Sequence, residues 1–302
     1  MTKKASGSAP RFYFVDVFAT EPLTGNPLAV VAGGEALSLE LMQRISREFN
    51  QSETTFILPA TRPGADWRLR SFTPTGAEVF GAGHNALGAW WWLAESGALP
   101  LAQRTEFKQE IGERVLPLKI TIDSGRPTSV VMTQTSPVPG KSVIELDRLA
   151  KALGLSRTDL DYEKLPVQVV STGAAHLLVS VKDKDTVDRI RANSEELYGV
   201  LKSVEGQGCY VFSRGARHPE ATFYARFFNP TVGIWEDPAT GSAAGPLACH
   251  LAAHGFIRRK DKILIEQGTS MGRTSLIRVR VTESAVEVSG SGITVAEGVL
   301  KL

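Results

Sequence analysis

A chain of 302 residues is long enough for two lobes of about 150 residues, each with its own core. Its 34 basic residues nearly cancel its 32 acidic ones, and neither sign is gathered in a long block, so nucleic acid and membrane surfaces gain no electrostatic hold. No apolar run approaches the roughly 20 residues needed to cross a bilayer, and residues 1–10 lack the apolar centre of a secretory signal. A cytoplasmic protein with a flexible tail over residues 1–10 is expected. Cys209 and Cys249 suit reduced core thiols better than a disulfide framework, although a pairing stays open.

Arg11 to Val17 and Leu28 to Val31 are rich in β-branched and aromatic residues and are separated by Pro22, Gly25, Asn26 and Pro27, which predicts two strands and a turn. From Ser38 to Phe49 the apolar residues Leu39, Leu41, Met42, Ile45 and Phe49 fall near helical spacing, with Ser38 as N-cap. Strands follow over Thr54 to Leu58 and Trp67 to Phe72, then a largely apolar helix from Asn85 to Ser96 stopped by Gly97. Phe107, Val115 to Ile122 and Ser129 to Thr133 supply further strands, and Val143 to Leu153 reads as a helix. From Pro166 the order begins again. Strands are expected over Val167 to Ser171 and Leu177 to Val181, a helix near Asp185 to Leu201, and strands over Cys209 to Phe212 and Thr222 to Phe228. A second apolar helix and three or four alternating strands end the chain. Long βαβ crossovers do not dominate, so the expected class is α+β. Two pseudo-symmetric lobes, 11–135 and 136–302, would each wrap a mixed or antiparallel sheet around a central helix, with the last strand free to return to the first lobe.

The restart is a duplication. Arg70, Phe72 and Pro74 alternate as Arg226, Phe228 and Pro230 do; Glu78 and Glu236 follow; and the stretch from Gly83 to Gly97 has the length of that from Gly241 to Gly255. Each half thus offers strand, loop and helix, and two helix N-termini can be aimed at one ligand. Such ends carry unpaired N–H groups and about half a positive charge, which suits a carboxylate. Gly83 and Gly241 let backbone approach closely, and His84, Asn85 and Ser242 add side-chain donors. Ordinary strand-to-helix turns are the bland alternative. Nucleotide loops fail on detail: no glycine lies three positions after Gly83, and Ala89-Trp90 stands where a P-loop needs Lys-Ser/Thr.

Gly25-Asn26-Pro27, the run Asn50-Gln51-Ser52-Glu53-Thr54-Thr55-Phe56, Phe72-Thr73-Pro74 through Gly83-His84, and Phe228-Asn229-Pro230 through Glu236-Asp237-Pro238-Ala239-Thr240-Gly241-Ser242-Ala243 together resemble the PhzF-like phenazine-biosynthesis family, within the diaminopimelate-epimerase-like fold. Gln267-Gly268 and Met271-Gly272-Arg273 fit it as well. The resemblance covers Arg11 to Leu302. It implies a cofactor-independent isomerase, a homodimer, that relocates a proton and a double bond in a small carboxylated metabolite. Glu53 would be base and acid, His84 and Asp237 the supporting pair, and Asn26, Gly83, Asn85, Gly241 and Ser242 the substrate contacts. One carboxylate can serve as base and then acid when its surroundings are apolar.

Fold relatives that epimerise amino acids use one cysteine in each repeat loop; here those positions hold Ala82 and Thr240, and Cys249 lies about two helical turns beyond Ser242. An epimerase on another base, and a binding or scaffold protein without turnover, are the rival classes. Other signals carry less. His250 and His254 have the spacing of a zinc helix but no general-base glutamate and no third ligand, so no metal is expected. Trp90, Trp91 and Trp92 suit either an enclosed helix or a contact surface. Glu78 and Glu236 suit dipole partners or turns, and Arg70 and Arg226 suit strand-face ion pairs.

Overall fold

The computed structural model describes residues 9–163, 165–283 and 285–302. Residues 1–8 of the expected tail lie outside the described residues. The chain forms two compact units, one from the chain as far as Leu23, Pro27–Met132 and Ser291–Leu302, the other from Thr24–Asn26 and Thr133–Gly290.

The first unit carries β1 (Arg11–Val17), β2 (Asn26–Ala32), α1 (Leu39–Phe49), β3 (Thr54–Pro59), β4 (Trp67–Phe72), β5 (Glu78–Val79), α2 (His84–Glu95), β6 (Glu106–Ile111), β7 (Arg114–Asp123) and β8 (Arg126–Gln134). Asn26, at the start of β2, and Thr133 and Gln134, at the end of β8, fall in the second unit. Strand β2 runs parallel to β3, β3 antiparallel to β4, and β4 antiparallel to β5 but parallel to β6; β6, β7 and β8 continue as an antiparallel meander. α1 is amphipathic, as its spacing predicts: Ser38 Oγ accepts from Leu41 N, and Met42 and Ile45 pack on Val31, Phe56, Leu58 and Phe72. It ends at Asn50, whose φ of 51° turns the chain toward β3.

The second unit carries β9 (Val138–Ser142), α3 (Leu146–Ala152), β10 (Gln168–Ser171), β11 (Ala175–Ser180), α4 (Lys184–Arg189), α5 (Ser194–Ser203), β12 (Gly208–Arg214), β13 (Phe223–Asn229), β14 (Ile234–Asp237), α6 (Gly241–Ala253), β15 (Lys262–Gln267), β16 (Ser275–Val281) and β17 (Val286–Gly290). The pairings repeat those of the first unit. β11 and β12 are parallel, β12 and β13 antiparallel, β13 pairs antiparallel with β14 and parallel with β15, and β15, β16 and β17 form a meander. The last strand, β18 (Gly292–Val299), pairs antiparallel with β1 in the first unit, as β9 pairs with β10 in the second. Each of these strands follows the meander of one repeat and completes the sheet of the other.

Two local differences from the sequence expectation have clear causes. The single helix expected near Asp185 to Leu201 is broken into α4 and α5, because Arg191 N and Asn193 N turn aside to satisfy Leu153 O and Ala152 O at the end of α3. Asn193 then caps α5 through Glu196 N. Strand β9 was not anticipated, since Val-Pro-Gly-Lys-Ser reads as a loop and all five residues are exposed.

α2 and α6 are the central helices. Nearly every residue of each is buried, and α2 contacts β1, β3, β4 and β18 while α6 contacts β10, β11, β16 and β17. Trp90 and Trp91 are buried and Trp92 half-buried against Tyr13, with ring centres 4.6 Å apart, so the enclosed-helix reading of the tryptophans holds. Gly88 lets α2 approach closely, since a methyl group there would lie 2.6 Å from Leu28 and Val17.

Buried charge is placed twice in the same way. Glu110 on β6 accepts from Thr61 N, Thr61 Oγ1 and Arg62 N at 2.6, 2.6 and 2.9 Å. Glu266 on β15 accepts from Arg217 N and His218 N at 2.7 and 2.6 Å. Burial opposes ionisation of Glu110, but its hydrogen bonds outweigh that cost and hold its carboxyl below the usual range. Glu110→Ala strands three donors and is expected to cost about 2–4 kcal/mol. Urea unfolding of wild type and variant measures this, and a loss within 0.5 kcal/mol, about the scatter of an ordinary surface substitution, would refute the anchoring role.

Candidate active site

Among the described α-helices, α2 and α6 alone have neither a side-chain cap nor an acidic residue in the first turn; α1, α4 and α5 have both, and α3 has Asp147. At these two ends neither a capping side chain nor a first-turn carboxylate offsets the helix dipole. Each helix is led in by a strand locked through a bidentate ion pair. Arg70 Nε and Nη2 each lie 2.7 Å from Glu78, and Arg226 Nε and Nη2 lie 2.8 and 2.7 Å from Glu236. Each guanidinium also stands over the phenylalanine two positions on, Phe72 at 5.1 Å and Phe228 at 5.0 Å. The two glutamates are thus strand-pairing residues, not helix-dipole partners.

In the first unit the α2 loop is shaped by Asn85, whose Oδ1 accepts from Gly83 N at 2.8 Å and whose Nδ2 donates to Ser71 Oγ and Gly81 O at 3.0 Å. Both amide ends are tied to the loop and to β4. His84, the first residue of α2, places Nε2 at 3.2 Å from Ser52 Oγ and 2.9 Å from Glu53 Oε2. Glu53 Oε2 has no hydrogen-bond partner among the described residues, and the contact is an ion pair by distance when the ring is protonated. The Glu53 side chain is 16% exposed and that of His84 10%, so the pair is shielded yet reachable. Ser52, which joins it, was not singled out from sequence, where it is one polar residue in a polar loop.

In the second unit Asp237 closes β14. Its Oδ1 accepts from Asn26 Nδ2 at 2.8 Å, and its Oδ2 accepts from Thr240 Oγ1. Asn26 Nδ2 also donates to Ala239 O at 3.0 Å. Gln267 ties the same loop from β15: Nε2 donates to Asp237 O at 2.7 Å and Thr240 Oγ1 at 3.0 Å, and Oε1 accepts from Thr240 N at 3.1 Å. Gln134 Nε2 donates to Gly241 O at 2.9 Å. Ser242 Oγ, one residue into α6, lies 3.2 Å from Nε2 of His176 on β11. His176 was missed in the sequence; the signal was a lone polar residue in the apolar strand Ala-His-Leu-Leu-Val-Ser. The structure thus brings Glu53, His84, Gly83 and Asn85 together in one unit and Asn26, Asp237, Gly241 and Ser242 in the other.

The thiols are removed from this chemistry. Cys209 and Cys249 are free and buried, and burial pushes both thiols up, Cys249 to about 11. His250 Nε2 meets Pro166 O at 2.9 Å and His254 Nδ1 meets His250 O at 2.9 Å. Among the described residues no group of three or more His, Cys, Asp or Glu side chains is placed to hold a metal ion.

Residues 15–298 match the phenazine biosynthesis-like protein family, PhzC-PhzF. The chain belongs to that family. It is 36% identical over 293 residues to the trans-2,3-dihydro-3-hydroxyanthranilate isomerase of Pseudomonas aeruginosa, covering 95% of this chain and 98% of that one. The crystal structure of a PhzF-family phenazine biosynthesis protein from Bacillus anthracis superposes with a TM-score of 0.89 at 28% identity, covering 98% of this chain and all of that one. A probable proline racemase from Agrobacterium radiobacter shares the fold, with a TM-score of 0.64 at 14% identity over 97% of this chain and 93% of that one. This PhzC-PhzF member is an isomerase, and no helix among its described residues is long and apolar enough to cross a membrane.

Burial holds the His176 imidazole down at about 4 and that of His250 likewise at about 4. Above pH 6.5 the ring is neutral folded or unfolded. Below it the unfolded ring takes a proton that the folded ring refuses until about pH 4, so stability falls across that window. His176 alone accounts for up to about 3 kcal/mol of this loss. Urea midpoints at pH 7.5, 5.5 and 4.5 should drop less steeply in His176→Gln than in wild type. Parallel pH profiles for the two proteins would refute the assignment.

Proposed function

We propose that this PhzC-PhzF isomerase moves a proton, and with it a double bond, within a small carboxylated metabolite by acid–base chemistry without a cofactor. Glu53 takes a proton from one carbon of the substrate and returns it to another carbon of the same conjugated system; the electron pair left by the first C–H bond migrates through the double bond to form the second. Nothing is oxidised or reduced. The single observation that carries this reading is the Glu53–His84 contact at 2.9 Å, beside a helix end with neither cap nor acid. An imidazole this close to the carboxylate can take up or hand on the proton that the carboxylate moves, and a helix end with neither cap nor acid favours an anionic substrate.

His84 steers that proton, Asp237 accepts from a substrate amine or hydroxyl, Gly241 and Ser242 offer donors to a carboxylate, and Gly83, without a side chain, lets the substrate come close to the backbone. Asn26 orients Asp237, and Asn85 sets the loop that carries Gly83. The substrate named for the Pseudomonas relative, trans-2,3-dihydro-3-hydroxyanthranilate, has the required carboxylate, amine, hydroxyl and partly unsaturated ring, and its class is the one proposed here. A two-thiol epimerase is not supported, because Ala82 and Thr240 hold the loop positions and both thiols are buried. The proposal extends to a cytoplasmic homodimer, which rests on the family resemblance; a monomeric mass by light scattering would reject the dimer.

Incubation with dihydro-hydroxyanthranilate-type carboxylates in deuterated water, followed by NMR, is expected to show double-bond migration with deuterium at the new C–H. Glu53→Gln should lower kcat roughly a hundred- to ten-thousand-fold with binding retained. Stereoinversion without double-bond migration would replace this reading by an epimerase, and ligand binding without exchange across the panel would leave a binding protein.

A further inference from the structure

His176 is almost wholly buried at the start of β11, and the Phe227 ring packs edge-on against its imidazole, with centres 5.0 Å apart at 88°. Its two nitrogens differ. Nε2 is 3.2 Å from Ser242 Oγ, whereas Nδ1, equally buried, has no hydrogen-bond partner among the described residues. Burial keeps the ring neutral near pH 7, so it carries one N–H. On Nδ1 that hydrogen would be a buried donor without an acceptor, which folded proteins avoid more strictly than an unused acceptor. The proton therefore belongs on Nε2, and Ser242 Oγ accepts it. Having accepted from His176, the hydroxyl must aim its own hydrogen elsewhere. Ser242 is only partly buried, and it sits in the first turn of α6, where no side chain caps the N–H groups.

We propose that His176 is a positioning residue that fixes the Ser242 hydroxyl as a donor, so that serine O–H and helix N–H groups present only donors to the substrate carboxylate. A free serine hydroxyl can rotate and offer either a hydrogen or a lone pair; the neighbouring imidazole N–H removes the second choice. The arrangement disfavours a cationic or donor-only group at that subsite as much as it holds an anionic one. The carboxylate rests on the function proposed above, while the proton's place on His176 does not.

Long-range proton–nitrogen correlation spectra of the 15N-labelled free protein near pH 7 should show His176 protonated at Nε2 alone, with the signal assigned by its loss in His176→Gln. A proton on Nδ1, or a charged ring, overturns the proposal. Calorimetric titration then uses 3-hydroxyanthranilate, which keeps the carboxylate but has an aromatic ring that cannot isomerise. His176→Phe should weaken binding about tenfold. His176→Gln, whose amide can supply the lost N–H, should stay within about threefold of wild type. In the Ser242→Ala background His176→Phe should add nothing, since its effect passes through that hydroxyl. Additive losses, failure of Gln to rescue, or no binding by wild type overturns the carboxylate role. If tautomer and coupling hold while no candidate substrate isomerises, the proposed function fails and this inference stands.

Discussion

A helix enclosed on every side can offer a ligand only its ends, and that constraint organises this molecule. The walls of α2 and α6 are buried almost without interruption, so their polarity is concentrated in first turns that carry neither a cap nor an acid. The lack of a capping side chain forgoes stabilisation of about 0.5–2 kcal/mol, which α1, α4 and α5 collect. Among the described α-helices, only the two that the sheets surround go without both a cap and a first-turn acid. What compensates is rigidity upstream: a guanidinium clamped on two carboxylate oxygens and stacked over a phenylalanine fixes the strand from which each loop departs.

Duplication accounts for the scaffold and not for the chemistry. Arg70, Phe72 and Glu110 match Arg226, Phe228 and Glu266, and their contacts match as well, down to two successive backbone N–H groups gathered by each buried glutamate. Beyond the paired Glu78 and Glu236 the two loops part company. Val79 stands opposite Asp237, Ala82 opposite Thr240 and His84 opposite Ser242. One loop presents an imidazole that answers to a glutamate; the other presents a hydroxyl that answers to an imidazole. The same backbone frame therefore carries two different sets of polar side chains, to which the proposed function gives proton handling and anion holding.

The repeat, the two apolar helices and the loop glycines were legible in the sequence because they depend on spacing and on residue types with narrow backbone preferences. Strand β9 was not, since its five exposed residues owe their conformation to pairing with β10 and to the bond from Gln168 Nε2 to Gly140 O, not to any pattern of their own. The break between α4 and α5 was hidden for a similar reason: the α3 carbonyls that cause it lie about 40 residues upstream. At the site, sequence supplied Glu53 and His84 as separate candidates, but only the fold reveals that they touch. Asn85 is a further case: its amide holds Gly81, Gly83 and Ser71, contacts that no spacing in the sequence shows.

On the proposed reading, this asymmetry decides between two outcomes that one fold can support. Stereoinversion at a single carbon requires one base on each face, which is why a symmetric pair of thiols serves it. Migration of a double bond has no such need, because a proton removed from one face can be returned to the same face at another carbon. A lone glutamate next to an imidazole fits the second demand and fails the first. Ala82 and Thr240 leave neither loop with a thiol, and burial keeps Cys209 and Cys249 protonated. A scaffold without paired bases then suits one-faced proton transfer, and Glu53 beside His84 is the group that carries it.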